Sequence, residues 1–161
     1  MDDTVSREQL VEEMRAGGRE FVEAARAVTP DKWAEGRYEE GWTAKDILAH
    51  VASIEWTYPK LLLLAQQPPE NRDSEKAFKA GIGDYNQRHV EKRRENTVEE
   101  LLDEFERNRT NTIAAVEQAD GELFSRQVRS AGGIEGSAAE VLRYVAVTHV
   151  VGHLDDLRGT S

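Results

Sequence analysis

Thr43-Ala44-Lys45-Asp46-Ile47-Leu48-Ala49-His50-Val51 contains the strongest helix signals in this 161-residue chain. Thr43 and Asp46 have the spacing of a helix start, and the apolar residues that follow recur near the 3.6-residue period as far as Leu62. Pro59 should interrupt this helix about one turn earlier in the chain, because proline lacks a backbone N–H and its ring clashes with the preceding turn.

Similar signals recur along the chain. Three further pairs have helix-start spacing: Ser6 with Gln9, Thr97 with Glu100, and Ser137 with Glu140. Apolar residues follow each pair at helical spacing, and a shorter helix is predicted over Tyr85–Arg94. No alternating strand is apparent, and the glycine-rich piece Ser130–Gly136 is interpreted as a loop. These elements predict an all-α protein, a single domain over residues 1–161 folded as a four-helix bundle with one long crossover connection.

The composition argues against several classes of protein. The chain has no cysteine, which removes disulfides, thiolate metal ligands and a cysteine nucleophile. Its net charge of -10 repels phosphate backbones and argues against nucleic acid as a partner. No apolar stretch approaches the roughly 20 residues that a membrane span needs, and the acidic start Met1–Thr4 does not resemble a signal peptide. We therefore expect a soluble cytoplasmic protein without a nucleic-acid or membrane partner.

Three of the four histidines have the spacing of a metal site. His149 and His153 lie one turn apart on the last predicted helix, and His50 lies on the apolar face of the second. Burying an imidazole without a partner costs on the order of 1–3 kcal/mol, which a shared cation would remove. Neutral nitrogens suit zinc, nickel or iron(II), and three protein ligands leave one coordination position open. The alternative is that each histidine is a satisfied core residue; His89, in a charged cluster, is interpreted as a surface residue.

Other residues near the histidines are candidates for catalysis or binding. Asp156, one turn beyond His153, is placed to orient that ring, or is an ordinary solvent-facing acid. Glu55 is a candidate general base, although a helix-surface acid is the simpler interpretation. Three aromatic side chains are candidates to line a cofactor or substrate pocket, with the core as the alternative: Trp56, Tyr58 and Tyr85.

These motifs, taken in order, resemble a known family. The run Trp42–Val51 followed by Glu55, and the late His149-x-x-x-His153, resemble the signature of the DinB/YfiT-like metalloprotein superfamily. Tyr85–Gln87 followed by Thr97–Leu102 is similar to the third-helix region of that family. The resemblance implies a four-helix bundle that holds a divalent metal, commonly zinc or nickel, through His50, His149 and His153.

The resemblance also implies a range of activities. The superfamily includes mycothiol-dependent maleylpyruvate isomerase and bacillithiol or glutathione transferases, which use a low-molecular-weight thiol. We therefore expect a metal-dependent enzyme of thiol S-transferase or isomerase type that acts on a small electrophilic substrate. The alternatives are a metal-dependent hydrolase or resistance protein of the ClbS/DfsB kind, a non-catalytic small-molecule-binding metalloprotein, and a helical scaffold stabilised by metal. A homodimer is implied by the resemblance alone.

Two departures from the isomerase limit the transfer of its activity. The isomerase has a glutamate where this chain has His149, and it carries an additional C-terminal domain. In contrast, the ending His153-Leu154-Asp155-Asp156-Leu157 is similar to the isomerase-like branch of the superfamily.

Overall fold

Amphipathic stripes fold into helices along most of the chain. The computed structural model describes residues 6–36, 41–73, 81–130 and 132–158. The α-helices in these ranges are α1 (Arg7–Arg26), α2 (Ala44–Glu55), α3 (Lys60–Ala65), α4 (Gly81–Lys92), α5 (Val98–Gln118), α6 (Ala138–Arg143) and α7 (His149–Arg158). Among these described helices, none is both long and apolar enough to cross a lipid bilayer.

Four helical arms form a bundle: α1, α2, α5 and the α6–α7 arm. Both α1 and α2 pack against α5 and α7, so α1 and α2 lie diagonally across the bundle. The long connection from α2 to α5 carries α3 and α4, and α4 packs against α2. Large side chains that fill the interior are completely buried, among them Phe21, Leu48, Leu101, Phe105 and Leu142. The predicted all-α four-helix bundle with one long crossover connection is confirmed.

The helix starts follow the predicted capping pairs, with one difference. Reciprocal capping boxes are present at Thr43 with Asp46, Thr97 with Glu100, and Ser137 with Glu140. At the first helix the Ser6 hydroxyl accepts a hydrogen bond from the Gln9 backbone N–H at 3.1 Å. The Gln9 side-chain amide instead donates to Glu13 one turn later, at 3.3 Å. The first cap is therefore made by the serine side chain only.

The helix predicted around His50 is interrupted as expected. It ends at Glu55, and a turn leads through Pro59 into α3. The resulting helix has 12 residues, and His50 lies in its middle turns. The shorter helix α4 starts at Gly81, four residues before the predicted start at Tyr85, and ends at Lys92.

The prediction that strands are absent was wrong. The pieces Gln127–Arg129 (β1) and Glu135–Ser137 (β2) pair antiparallel, so Glu135 and Gly136, at the end of the piece predicted as a loop, belong to a strand. Three residues a strand are too few for a recognisable alternation of polar and apolar side chains. The hairpin places Ser130, Gly132 and Ile134 beside the bundle, where they help to line the cavity described below.

The last helix departs from the predicted regular α-helix. Tyr144–Thr148 forms a π-helical turn between α6 and α7, in which the His149 backbone N–H donates to the Tyr144 carbonyl five residues back. Such a turn contains one extra residue and rotates everything that follows it. Ala146 is buried within this turn, and the buried stripe after it runs through Val150, His153, Leu154 and Leu157.

The predicted core-facing stripe of this helix therefore needs correction. The prediction placed Val145, His149, Gly152 and Asp156 on the stripe, together with Leu142 and His153. In the structure Gly152 is exposed, whereas Val145, His149 and Asp156 are only partly buried. The physical reason is the π-helical turn, which moves His149 from the core to the edge of a cavity.

Candidate metal centre

Three imidazole rings converge between α2 and α7. One nitrogen each from His50, His149 and His153 can be chosen so that all three atoms lie within 4.8 Å of one another. The Nε2 atoms of His149 and His153 are 3.1 Å apart. The His50 ring stands edge-on to both, with ring centroids 5.4 Å from His149 and 5.3 Å from His153. The structure thus brings the three predicted ligands together.

The cluster is buried on the side of the bundle and accessible on the other. His50 and His153 are buried, with 4% and 6% of their surface exposed, whereas His149 is partly exposed. The Trp42 ring covers His50 at a centroid distance of 5.2 Å. Since only His50 and His149 of the three histidines line the neighbouring cavity, the accessible edge of the cluster faces that cavity.

The electrostatics of the cluster favour neutral rings. Burial, followed by the nearby His153 and His149, lowers the pKa of His50 well below its usual value. Burial and the proximity of His153 lower the pKa of His149 to about 4. Both effects penalise the protonated form, so these two rings carry free lone pairs at neutral pH.

The residues present fit a divalent metal ion. The Nδ1 atom of His50 is buried without a hydrogen-bond partner, a costly state for a polar atom in a protein interior. Three neutral imidazoles are suitable ligands for zinc, nickel or iron(II), and three such ligands are typical of catalytic rather than structural zinc sites.

Asp156 supports one of the candidate ligands. Its Oδ2 lies 2.9 Å from Nδ1 of His153, one turn earlier on α7. A carboxylate that accepts the Nδ1–H proton fixes the tautomer in which Nε2 has its lone pair available. That Nε2 is the nitrogen that faces His149.

Replacing Asp156 with asparagine is expected to weaken zinc binding about 10–100-fold while the helical fold is retained, since the carboxylate orients a ligand ring without contacting the cavity. Competition with a chromogenic chelator measures the affinity, and circular dichroism checks the fold. Asp155→Asn, at the exposed neighbouring position, is the matched control. An unchanged affinity in the Asp156 variant would remove this residue from the site.

A cavity of about 350 Å³ adjoins the histidines. Its wall is mostly apolar and is formed by α2, the turn after it, α3, α4, the β-hairpin loop, the π-helical turn and the start of α7. Representative lining residues are Ile54, Tyr58, Leu61, Ile82, Ile134 and Val145. A largely apolar pocket with a few polar groups at one end is the usual form of a small-molecule site.

The other predicted site residues have separate environments. Tyr58 is buried and lines the cavity, and burial raises the pKa of its hydroxyl. Trp56 is 55% exposed, and the ammonium of Lys60 lies 3.9 Å from the centroid of its ring. Tyr85 is partly buried on α4 and its ring stacks on His89 at 4.2 Å. Neither Trp56 nor Tyr85 belongs to the described cavity wall.

His89 also differs from its predicted environment. It is partly buried rather than on the open surface, and its Nδ1 lies 2.9 Å from the Arg93 guanidinium. It is not a member of the three-histidine cluster, as expected.

Glu55 is completely buried in an ion pair instead of lying on the helix surface. Its carboxylate is 3.0 Å from Nε of Arg109 and accepts a hydrogen bond from Nη2 at 3.1 Å. Burial raises the pKa of Glu55 to about 6, although the Arg109 charge opposes this shift. Since Glu55 is not part of the described cavity wall, its contacts support the fold.

Arg109 is a further important residue near the site that was not predicted from the sequence. Its guanidinium donates to the carbonyl of Ala146 in the π-helical turn at 2.7 Å and to the carbonyl of Met14 in α1 at 3.1 Å. It thereby joins α1, α2 and α5 to the turn that precedes His149. A signal was available, because Arg109 is four residues after Phe105 and four before Ile113, on the apolar stripe of α5.

Comparisons with known proteins agree with this architecture. The sequence profile described as mycothiol maleylpyruvate isomerase N-terminal domain matches residues 14–158. No curated protein sequence matches the chain. The crystal structure of the mycothiol-dependent maleylpyruvate isomerase superposes with a TM-score of 0.72 at 19% identity, over 94% of this chain and 60% of the isomerase. This chain therefore spans 60% of the length of that enzyme.

A second solved structure has the same fold. YfiT from Bacillus subtilis, described as a probable metal-dependent hydrolase with an unusual four-helix bundle topology, superposes with a TM-score of 0.70 at 14% identity. The match covers 100% of this chain and 90% of YfiT. The superposition with YfiT shows that the DinB/YfiT-like bundle fold is shared. The profile match over residues 14–158 shows that the chain belongs to the mycothiol maleylpyruvate isomerase N-terminal domain family.

Proposed function

We propose that this chain is a divalent-metal-dependent enzyme of thiol S-transferase or isomerase type that acts on a small electrophilic molecule. One observation carries the proposal: His50 and His149 line a mostly apolar cavity, and a nitrogen of His153 lies within 4.8 Å of theirs. Zinc or nickel is the metal that best suits the three imidazoles. The family membership and the name of the isomerase support the choice of a thiol as the cofactor.

The chemistry of such a site follows from its donor set. A divalent cation bound there would lower the pKa of a coordinated thiol or water towards neutrality, which supplies a nucleophile at pH 7. His50 and His149 contribute lone pairs because their lowered pKa values keep them neutral. Asp156 holds His153 in the orientation that directs Nε2 at the same point.

The cavity residues complete the proposed site. Ile54, Leu61 and Ile82 exclude water from the space beside the histidines, which strengthens the electrostatic interactions made there. The raised pKa of Tyr58 keeps its hydroxyl protonated at neutral pH, so that it is available as a hydrogen-bond donor.

Thiol consumption tests this proposal. Protein loaded with zinc or nickel is mixed with diethyl maleate as the electrophile and, in turn, with mycothiol, bacillithiol or glutathione. We expect at least one thiol to be consumed faster with the protein than without it. This acceleration should be lost in His149→Ala. Background rates for all three thiols with fully loaded protein would contradict the thiol-dependent activity.

A metal-dependent hydrolase is the second candidate. The likeness to YfiT, described as a probable metal-dependent hydrolase, favours this candidate, and the match covers 90% of YfiT. In this version water takes the place of the thiol beside the same histidines, and the cavity holds the group to be hydrolysed. Metal-dependent ester hydrolysis without any thiol would select this candidate, whereas ligand binding without turnover would select a non-catalytic metalloprotein.

A further inference from the structure

We propose that the cavity selects a neutral, largely apolar substrate over a dicarboxylate. This inference rests on the proposed function, because it assigns the substrate class of the same site. The cavity wall, the charges around it and the net charge of the chain all support it.

The wall of the cavity offers almost no charge to a ligand. Among the described residues that line it, Lys60 is the only one with a permanently charged side chain. A divalent cation at the histidines would partner one carboxylate of a dianion, whereas the second carboxylate would enter the apolar remainder of the cavity and lose its hydration with little compensation.

Lys60 is poorly placed to bind an anion inside the cavity. Its side chain is exposed, and its ammonium lies 3.9 Å from the centroid of the Trp56 ring, which stands outside the cavity wall. A cation at this position is solvated and already interacts with the ring. It therefore favours the entry of an anion only weakly.

The polar groups that do line the cavity suit a neutral ligand. Thr57, Asn86 and Ser130 bring hydroxyl and amide groups, and Oδ1 of Asn86 has no hydrogen-bond partner. Neutral groups of this kind recognise carbonyl, ester, amide or hydroxyl functions. The net charge of -10 adds a long-range repulsion against dianions.

Diethyl maleate and maleate form a matched pair of probes, because they share one carbon skeleton and differ by two negative charges. Both are titrated calorimetrically, without thiol, into zinc-loaded and into metal-free protein. We expect the diester to bind at least about tenfold more tightly than maleate in metal-free protein, and to remain the tighter ligand in zinc-loaded protein. The metal-free arm separates binding in the cavity from coordination of a carboxylate to the ion.

Two cavity variants locate the binding. Ile82→Trp, at a partly buried lining position, fills the cavity and should weaken binding of the diester more than tenfold. Leu63→Trp, at an exposed position outside the wall, should leave that binding unchanged. Ile82→Lys introduces a second cation and should shift the preference towards maleate. Maleate binding as tight as the diester, no measurable binding of the diester, or insensitivity to Ile82→Trp would each overturn the inference. Because no thiol is present, failure of the thiol assay leaves these results unaffected.

Discussion

Replacement of Arg109 by methionine is expected to lower the free energy of unfolding by about 3–5 kcal/mol, the range for removing one partner of a buried ion pair. Arg109 is 5% exposed and Glu55 is completely buried. The variant leaves the Glu55 carboxylate without its cation and the carbonyls of Met14 and Ala146 without a donor. Urea unfolding monitored by circular dichroism measures the loss.

The loss of stability in Arg109→Met should be larger at pH 8 than at lower pH. Burial already raises the pKa of Glu55 to about 6 in the presence of Arg109, from an ordinary value of 4.5. Without the guanidinium the folded-state pKa rises further. A carboxyl whose pKa is higher in the folded state destabilises the fold above that pKa, and this penalty is absent below the unfolded-state value. The difference between wild type and Arg109→Met should therefore shrink as the pH falls from 8 towards 4.5.

Two further variants serve as controls for the Arg109→Met result. Arg107→Met, on the exposed face of the same helix, should change stability little. Glu55→Gln combined with Arg109→Met removes both charges and should recover part of the stability, because no unpaired charge remains buried. A single Arg109 variant as stable as wild type at pH 8 would show that the ion pair does not hold the bundle together.

The sequence predicted those parts of the fold that depend on local signals. Three of the four helix starts have the capping boxes that their serine or threonine and acidic pairs indicate. The interruption before Pro59 follows from the covalent structure of proline itself. Such features require only neighbouring residues and were therefore readable without the tertiary structure.

The features that were missed depend on contacts between distant residues. The π-helical turn at Tyr144–Thr148 has no sequence signature, and the Arg109 guanidinium that bonds to its Ala146 carbonyl comes from another helix. Glu55 was expected on the helix surface because its burial requires a partner 54 residues away. The β-hairpin was missed because its strands have three residues each.

The candidate site was partly predictable for the same reason. The four-residue spacing of His149 and His153 and the helical position of His50 predicted their convergence, and the structure brings them together. The composition of the cavity wall was not predictable, because it is assembled from four stretches of the chain that are distant in sequence. Tyr58 was identified as a candidate, but Lys60, Ile82 and Asn86 were not.

Replacement of His149 by alanine is expected to reduce metal affinity at least about 100-fold. Loss of a residue that hydrogen-bonds to a metal ligand lowers metal affinity about 10–100-fold in comparable sites. Loss of a ligand itself should lower the affinity more. His149 is the partly exposed member of the cluster, at the edge of the cavity, so truncation should disturb the core little. We therefore expect the thermal unfolding of the metal-free variant to resemble that of metal-free wild type.

His89→Ala is the matched control for this variant. It removes an imidazole of the same size from α4, where the ring contacts Tyr85 and Arg93 rather than the cluster. Retention of metal by His89→Ala, beside its loss from His149→Ala, would assign binding to the cluster and not to histidine content in general.

The decisive measurement is the amount of zinc that remains bound after dialysis against a weak chelator, determined by elemental analysis for wild type, His149→Ala and His89→Ala. Convergence of the three rings on one ion predicts one equivalent of zinc in wild type and in His89→Ala, and almost none in His149→Ala. A full equivalent in His149→Ala, or none in wild type, would contradict the proposal that His50, His149 and His153 bind a common metal.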